Sequence, residues 1–335
     1  MPKVSIIIPY FNQDRNLLVR CVESALKQSY DDYEIIIVND GSDYEHKTLL
    51  QNLYAGRDRI RIITTENQGV SAARNIGVQN AEGMFVTFLD ADDELFPFFL
   101  KEAVSISECE AADFVIGGVR VVRTEQDECH ENGSTNDRIK HKGKNDLQQL
   151  MINDLIVFEG GYIGRGAVSR LLNKDIALLV PFDVGVKIGE DIIWNLRLLD
   201  KCQKITVVKR VWYRYYENPF SVTNSFNLEV VRQTTDELNI IMQMADLTDD
   251  RQYLAFCNHI FEELKKINDC LVNRKEWKAS ENEKKELIQK LYSSVPWKMV
   301  QSKRLYHLGN TKLKIKILLF RYRQLFRAWK YLMIK

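Results

Sequence analysis

The first 40 residues contain no glycine; Gly41 is the first in the chain. That absence removes two phosphate-binding devices together. Both the dinucleotide fingerprint and the phosphate-cradling P-loop need a glycine-rich turn directly after the first strand. Long apolar runs are missing as well, and no stretch approaches the roughly 18 uninterrupted apolar residues of a membrane span. The six cysteines (Cys21, Cys109, Cys129, Cys202, Cys257, Cys270) form no CxxC pair. No secretory leader is legible, because Met1-Pro2-Lys3 passes into a short apolar run that Pro9 ends. Reduced thiols and a cytosolic compartment are the expectation. Acidic residues are absent after Glu286, and residues 287–335 carry 12 lysines and arginines. The overall balance of +1 therefore hides an acidic body, with 35 basic against 46 acidic side chains, and a basic tail.

What is present is alternation. Lys3–Pro9 (KVSIIIP), Tyr33–Asn39 (YEIIIVN), Arg59–Thr64, Met84–Leu89 and Asp113–Val122 read as strands, while Asn16–Gln28 and Val70–Asn80 have helical spacing. Continuous Ile/Val runs separated by helices predict an α/β fold with a doubly wound, mostly parallel sheet and helices on both faces. Ligands bind such sheets beyond the carboxyl ends of the strands, where Asn12, Asp40, Asn67 and Asp90 all fall. Arg123–Asn145 reads as a polar loop over the sheet edge. Residues 146–220 mix a helix, a glycine-rich piece and a strand over Lys204–Val211. From about Phe226 the patterns are helical, which places a boundary near residue 220, between a catalytic region 1–220 and a helical region 221–335.

The stretch FVTFLDADDEL poses the chemical question, since a buried strand ends there in Asp90, Asp92 and Asp93. Crowded carboxylates are unfavourable unless something positive accompanies them. A helix cap would account for one of them, Asp93 or Glu94, with Pro97 in the first turn. It would not account for the spaced pair Asp90 and Asp92. With no glycine-rich phosphate loop, a bound phosphate needs a cation instead. Asp90 and Asp92 offer hard oxygens suited to Mg²⁺ or Mn²⁺. Arg74, one turn into its helix, is either a second positive group or a surface arginine.

VSIIIPYFN, IIIVNDGSD, ENQGVSAARNIG and FLDADD, in this order between residues 4 and 93, resemble the glycosyltransferase family 2 domain of the GT-A fold. Fainter likeness continues through VSRLLNKDI, GEDIIWNLRLL and VWYRYY, to about residue 220. The resemblance implies an inverting, metal-dependent transferase acting on a nucleotide sugar, expected to be a UDP-sugar. It places Asp40 at the uracil base, with Pro9, Phe11 and Asn12 bordering the same nucleotide. Asn67, Gly69, Arg74 and Asn75 would line the base and sugar-diphosphate. Asp90 would meet the ribose, Ala91 lies within the same element, and Asp92 would hold the Mn²⁺ or Mg²⁺.

An inverting transfer needs a carboxylate base for the acceptor hydroxyl. Glu190 and Asp191 open a helix, and acidic residues at a helix start are also favourable for the dipole alone. The resemblance assigns the base to Asp191, with Glu190 orienting or touching the acceptor; Asp93 is the alternative. Two departures stand out. The turn reads D-G-S-D-Y, so Asp43 has no secure counterpart. The histidine expected after the aromatic-arginine pair of the last strand is replaced by Tyr215-Tyr216, leaving Arg214 to compensate on the phosphates. The processive Q-x-x-R-W element is absent, which suits transfer of a single sugar.

The tail from Lys312 to Lys335 segregates Leu318, Tyr322, Leu325, Trp329 and Leu332 from Lys316, Arg323, Arg327 and Lys330 at helical spacing. That suits an anionic membrane surface, and equally a helix packed on the catalytic domain or on a second subunit. No nucleic-acid module accompanies the charge, so nucleic acid is not an expected partner. A glycan or glycolipid acceptor in cell-envelope polysaccharide biosynthesis, met at the inner membrane face, fits this picture. Two other functions stay open: a non-catalytic subunit that binds nucleotide sugars, and a sugar nucleotidyltransferase, although the latter's glycine-rich loop is missing.

Overall fold

The computed structural model describes residues 2–123, 133–139, 156–158, 161–217, 228–273, 294–300 and 302–309, with positions 148, 152, 280, 282, 286 and 313–314 besides. It divides into two compact units, Met1–Ser221 and Val222–Lys335.

In the first unit, strand β1 (Val4–Tyr10) is buried at every position but Pro9, so it has no solvent face and sits inside the sheet. It pairs in parallel with β2 (Tyr33–Asp40) on one side and β4 (Phe85–Phe88) on the other, and β2 pairs in parallel with β3 (Ile60–Thr65). Parallel neighbours need crossovers, which α1 (Arg15–Leu26), α2 (Tyr44–Tyr54) and α3 (Val70–Asn80) supply. The period of two divides β1 between the faces. Val4, Ile6 and Ile8 join one core cluster with Leu18, Cys21 and Val22 of α1. Ile7 meets α3 instead, at Gly77, where an added Cβ would lie 2.3 Å from Ile7 Cγ2. Helices thus cover both faces, as expected.

Beyond β4 the sheet becomes mixed. The chain passes through β5 (Glu94–Leu95) and α4 (Phe99–Glu110) to β6 (Phe114–Val122). Strand β10 (Arg170–Asn173) is inserted antiparallel between β4 and β6. Helices α5 (Lys174–Leu179) and α6 (Glu190–Leu199) follow it. Strand β11 (Ile205–Tyr216) then runs parallel to β6 and antiparallel to β5, so the strand expected to stop at Val211 continues to Tyr216. A short hairpin, β8 (Ile156–Phe158) and β9 (Gly161–Ile163), pairs with β6 through β9.

One expectation is corrected. Arg123–Asn145 is not loop throughout, because β7 (Gly133–Ile139) pairs antiparallel with β11. Its sequence, GSTNDRI, lacks the apolar alternation that marks a strand. Main-chain bonding to the free edge of β11 organises it instead.

In the second unit the described helices are α7 (Leu228–Met244), α8 (Asp250–Asn273), α9 (Val295–Met299) and α10 (Lys303–Leu308). A buried His259–Glu237 pair, 2.9 Å apart, joins α8 to α7. Arg304 of α10 reaches Asp250 at 2.7 Å and the Leu247 carbonyl at 2.7 Å. The amphipathic helix expected from Lys312 to Lys335 lies outside the described residues, apart from positions 313 and 314. Among the described residues no helix is long and apolar enough to cross a membrane.

Candidate active site

Arg74 is the hub of the site. Its side chain is 4% exposed and bonds three carboxylates from two distant parts of the chain. Nη2 donates to Asp90 Oδ1 at 3.1 Å; Nη1 donates to Asp191 Oδ1 at 2.9 Å and to Glu190 Oε1 at 3.3 Å. The guanidinium also lies over the Phe182 ring, 5.2 Å from its centroid. Burial opposes its charge, but Asp191, Asp90 and Glu190 together push its pKa further up. Of the carboxylates crowded in FLDADD, Asp90 is met by this arginine.

Glu190 and Asp191, the two acids of α6 beside Arg74, are perturbed. Burial, then the Asp191 charge, raises Glu190 to about 7 against the pull of Arg74. Burial also raises Asp191; Arg74 opposes this and Asp90 reinforces it. A carboxylate with raised basicity, facing the carboxyl ends of the strands, is equipped to take a proton. Helix α6 carries both residues because Gly189, at φ +76°, turns the chain into its first turn.

A second cluster forms at the ends of β1 and β2. Both Asp40 oxygens accept backbone N–H groups, from Gln68 at 2.9 Å and Gly69 at 2.8 Å. They fix the approach to α3, whose Arg74 is one turn further on. Gly41 has φ +71°, and a Cβ there would come within 2.3 Å of the Asn67 nitrogen. Only glycine allows this turn against that segment. Asn12, itself at φ 44°, accepts from the Asp43 N–H at 3.0 Å and donates its own N–H to Ser42 Oγ at 3.1 Å. Pro9 is half-buried, Ala91 is buried, and Phe11, Asn67 and Gly69 are exposed at the same rim.

Two expected residues have other partners. The Asn75 amide bonds both ways to the Phe182 backbone, at 2.9 and 2.8 Å, and so fixes the ring under Arg74. Arg214 pairs with Glu94 at 3.2 Å and stacks on Phe96. Asp93 is not a helix cap. Its oxygens accept from the Tyr213 hydroxyl at 2.7 Å and the Tyr216 N–H at 2.8 Å, and Tyr213 in turn accepts the Asp90 N–H at 3.1 Å.

Residues 5–164 match the family model described as Glycosyl transferase family 2. A glycosyltransferase of Bacillus subtilis, EpsJ, named as uncharacterized, is 30% identical over 67% of this chain and 63% of its own length. A Campylobacter jejuni protein named GalNAc(5)-diNAcBac-PP-undecaprenol beta-1,3-glucosyltransferase is 43% identical over 28% of this chain and 31% of its own. The crystal structure of S. aureus TarS 1-349 aligns with a TM-score of 0.65 at 17% identity, covering 96% of this chain and 87% of that one. Residues 5–164 are a glycosyltransferase family 2 domain. Its fold is the GT-A fold of TarS. The chain spans less than two thirds of the length of the curated relatives described here.

Several residues of this family 2 site gave no sequence signal. Arg20 of α1 donates to the Asp92 carbonyl at 2.5 Å and stacks on Tyr216, with 3.5 Å to the ring centroid. A lone arginine on an amphipathic helix looks like any surface residue. Asn39, fully buried at the end of β2, has a side-chain nitrogen without a hydrogen-bond partner among the described residues. Arg170 was legible in principle, as a charge inside the apolar run VSRLL.

The fit to a divalent cation can be tested on Asp92. Burial, then Asp90, holds its carboxyl above the ordinary range, so a cation would be favoured there. Among the described residues no group of three or more His, Cys, Asp or Glu side chains forms a metal cluster. The hard carboxylate oxygens of Asp92 are compatible with Mg²⁺ or Mn²⁺, ions that commonly take their remaining ligands from phosphate and water.

Proposed function

We propose that this chain is an inverting glycosyltransferase that moves a single sugar from a UDP-sugar to a hydroxyl of a glycan or lipid-linked glycan. The observation that carries this reading is the bonding of Arg74 to Asp90 on one side and Asp191 on the other. It joins a nucleotide-side carboxylate to a basic carboxylate across one small site. In the reaction the Asp191 carboxylate takes the proton of the acceptor hydroxyl. The acceptor oxygen bonds the anomeric carbon as that carbon's bond to the diphosphate breaks, and UDP leaves. Glu190 orients the acceptor, and Arg74 meets the negative charge of the sugar-diphosphate. Asp40, Asn12, Asn67 and Gly69 border the base, together with Pro9 and Phe11; Asp90 contacts the ribose. Asp92 would hold Mn²⁺ or Mg²⁺, which when bound supplies Lewis-acid stabilisation of the departing diphosphate.

Two comparisons support the substrate classes: TarS has been solved with UDP and with UDP-GlcNAc, and the Campylobacter relative's name contains an undecaprenol-linked acceptor. A cytoplasmic enzyme of polysaccharide biosynthesis, held at the membrane by its basic tail, is consistent with both.

Calorimetric titration of UDP with Mn²⁺ or EDTA, in wild type, D92A and D191N, tests the reading. UDP is expected to bind only with metal and with Asp92 present. D191N should bind UDP as wild type does, yet lose about 10²- to 10⁴-fold in UDP release from a UDP-sugar. The pH profile of that release should show an acid limb above the ordinary aspartate range near 4. Absence of UDP binding under all conditions would overturn the donor assignment. Binding without turnover against any UDP-sugar and acceptor would mark a non-catalytic subunit.

A further inference from the structure

Arg170 is 2% exposed and Asn195 fully buried, and their side chains bond each other. Arg170 Nε donates to Asn195 Oδ1 at 3.1 Å, Nη1 to the Val168 carbonyl at 2.5 Å and Nη2 to the Gly164 carbonyl at 2.6 Å. The amide nitrogen of Asn195 donates to the carbonyls of Arg165 at 2.7 Å, Gly166 at 3.2 Å and Asp191 at 2.7 Å. Two side chains therefore collect five carbonyls: four from the segment 164–168 and one from the first turn of α6. The same segment runs beside the Asp191 side chain: a Cβ added at Gly166 would lie 3.8 Å from Asp191 Oδ2.

A buried guanidinium is costly, and an apolar side chain would fill the β10 position without that cost. Carbonyls of an irregular segment, in contrast, need donors once they are buried. The arginine and asparagine supply those donors and, in doing so, hold the segment against α6.

We infer that Arg170 and Asn195 are positioning residues for the general base: they lock residues 164–168 onto helix α6, so that this segment and the Arg74 guanidinium together hold the Asp191 carboxylate in place. This inference rests on the reading of Asp191 as the base. It extends the site by a second layer that touches neither nucleotide nor acceptor. The charged groups facing Asp191 are Arg74 from α3, Asp90 from the end of β4, Glu190 from its own helix and Arg170 from β10. Removing the Arg170 charge takes away an influence that favours the ionised carboxylate, so in R170M the base should become harder to deprotonate.

The test compares wild type, N195A, R170M, R170K and D191N. UDP binding is measured by calorimetry with Mn²⁺, and turnover as UDP release from UDP-N-acetylglucosamine or UDP-glucose, whichever wild type hydrolyses, between pH 5 and 9. Amide hydrogen exchange at residues 164–168 and 190–195 is followed in parallel. N195A and R170M are expected to bind UDP within twofold of wild type and to lose at least tenfold in kcat with donor KM little changed; R170M should also shift the acid limb to higher pH. Exchange should accelerate at 164–168 and at the first turn of α6 only. R170K keeps the charge but not the fork geometry, and should fall between R170M and wild type.

Unchanged kcat and exchange in N195A would overturn the inference. So would parallel loss of UDP binding, which would assign the pair to the fold as a whole. If R170M does not fold, N195A alone decides. If no UDP-sugar is hydrolysed by wild type, the exchange pattern decides. Full turnover in D191N would instead remove the base assignment, a failure distinct from that of the positioning pair.

Discussion

Asp93 shows how much one buried carboxyl can do for the fold. It is 1% exposed, and burial first, then Asp90, raises its pKa from 3.8 to about 8. Between those values the folded chain binds a proton that the unfolded chain has released, so stability falls as pH rises. Its favourable contribution is whole below the unfolded value near 3.8 and is lost as pH passes about 8. The melting midpoint of the wild type, measured in EDTA, should therefore drop between pH 6 and 9. In D93N the drop should shrink but persist, because Glu190, Asp92 and Asp191 are raised too. An equal slope in D93N would refute the assignment. Through Tyr213 the same carboxyl is linked to the Asp90 N–H, which ties the acidic turn to β11.

At the scale of elements, the turn after β2 separates conformational strain from contact. Gly41 and Gly56 have nearly the same φ, +71° and +74°, but an added Cβ at Gly56 meets nothing within 4 Å. Alanine at either position should destabilise by about 1–2 kcal/mol through left-handed backbone strain. Only G41A should also displace Asn67, weakening UDP at least tenfold in calorimetry while G56A leaves it unchanged. Equal UDP affinities would show that the Asn67 segment does not shape the nucleotide pocket. These elements also show where sequence reading works. Strands β1, β2 and β4 are buried on both faces, and unbroken Ile, Val and Phe runs announce that directly. β7 carries no such pattern because its order depends on a partner far away in the chain. Asp90, Asp191 and Arg74 were legible as candidates, but their mutual bonding was not, since the partners lie 16 and 117 positions apart. Asn75 and Arg214 were legible as candidates through the resemblance, and their bonds to Phe182 and Glu94 appeared only in three dimensions.

At the scale of the molecule, charge is divided unevenly. Residues 287–335 carry 12 basic side chains and no acidic one, on a chain whose net charge is +1. The full chain should co-sediment with phosphatidylglycerol vesicles, and less so as salt rises, because screening weakens exposed charges. Charge reversal at Arg321, Arg323, Arg327 and Lys330 should abolish that attachment and leave UDP affinity intact; unaltered co-sedimentation would remove the tail as the anchor. The strand order has a consequence of another kind, for the sequence of events as the chain leaves the ribosome. Strands β1 to β4 can pair as soon as residue 88 has emerged, each beside a neighbour already made. Of the strands that follow, β6 has no place against β4, because that edge is reserved for residues 170–173. Nascent chains shorter than about 173 residues thus expose an unpaired, apolar β4 edge and an unhoused β6. Co-translational assembly of this fold is a two-stage process, with a vulnerable interval whose length the position of β10 sets.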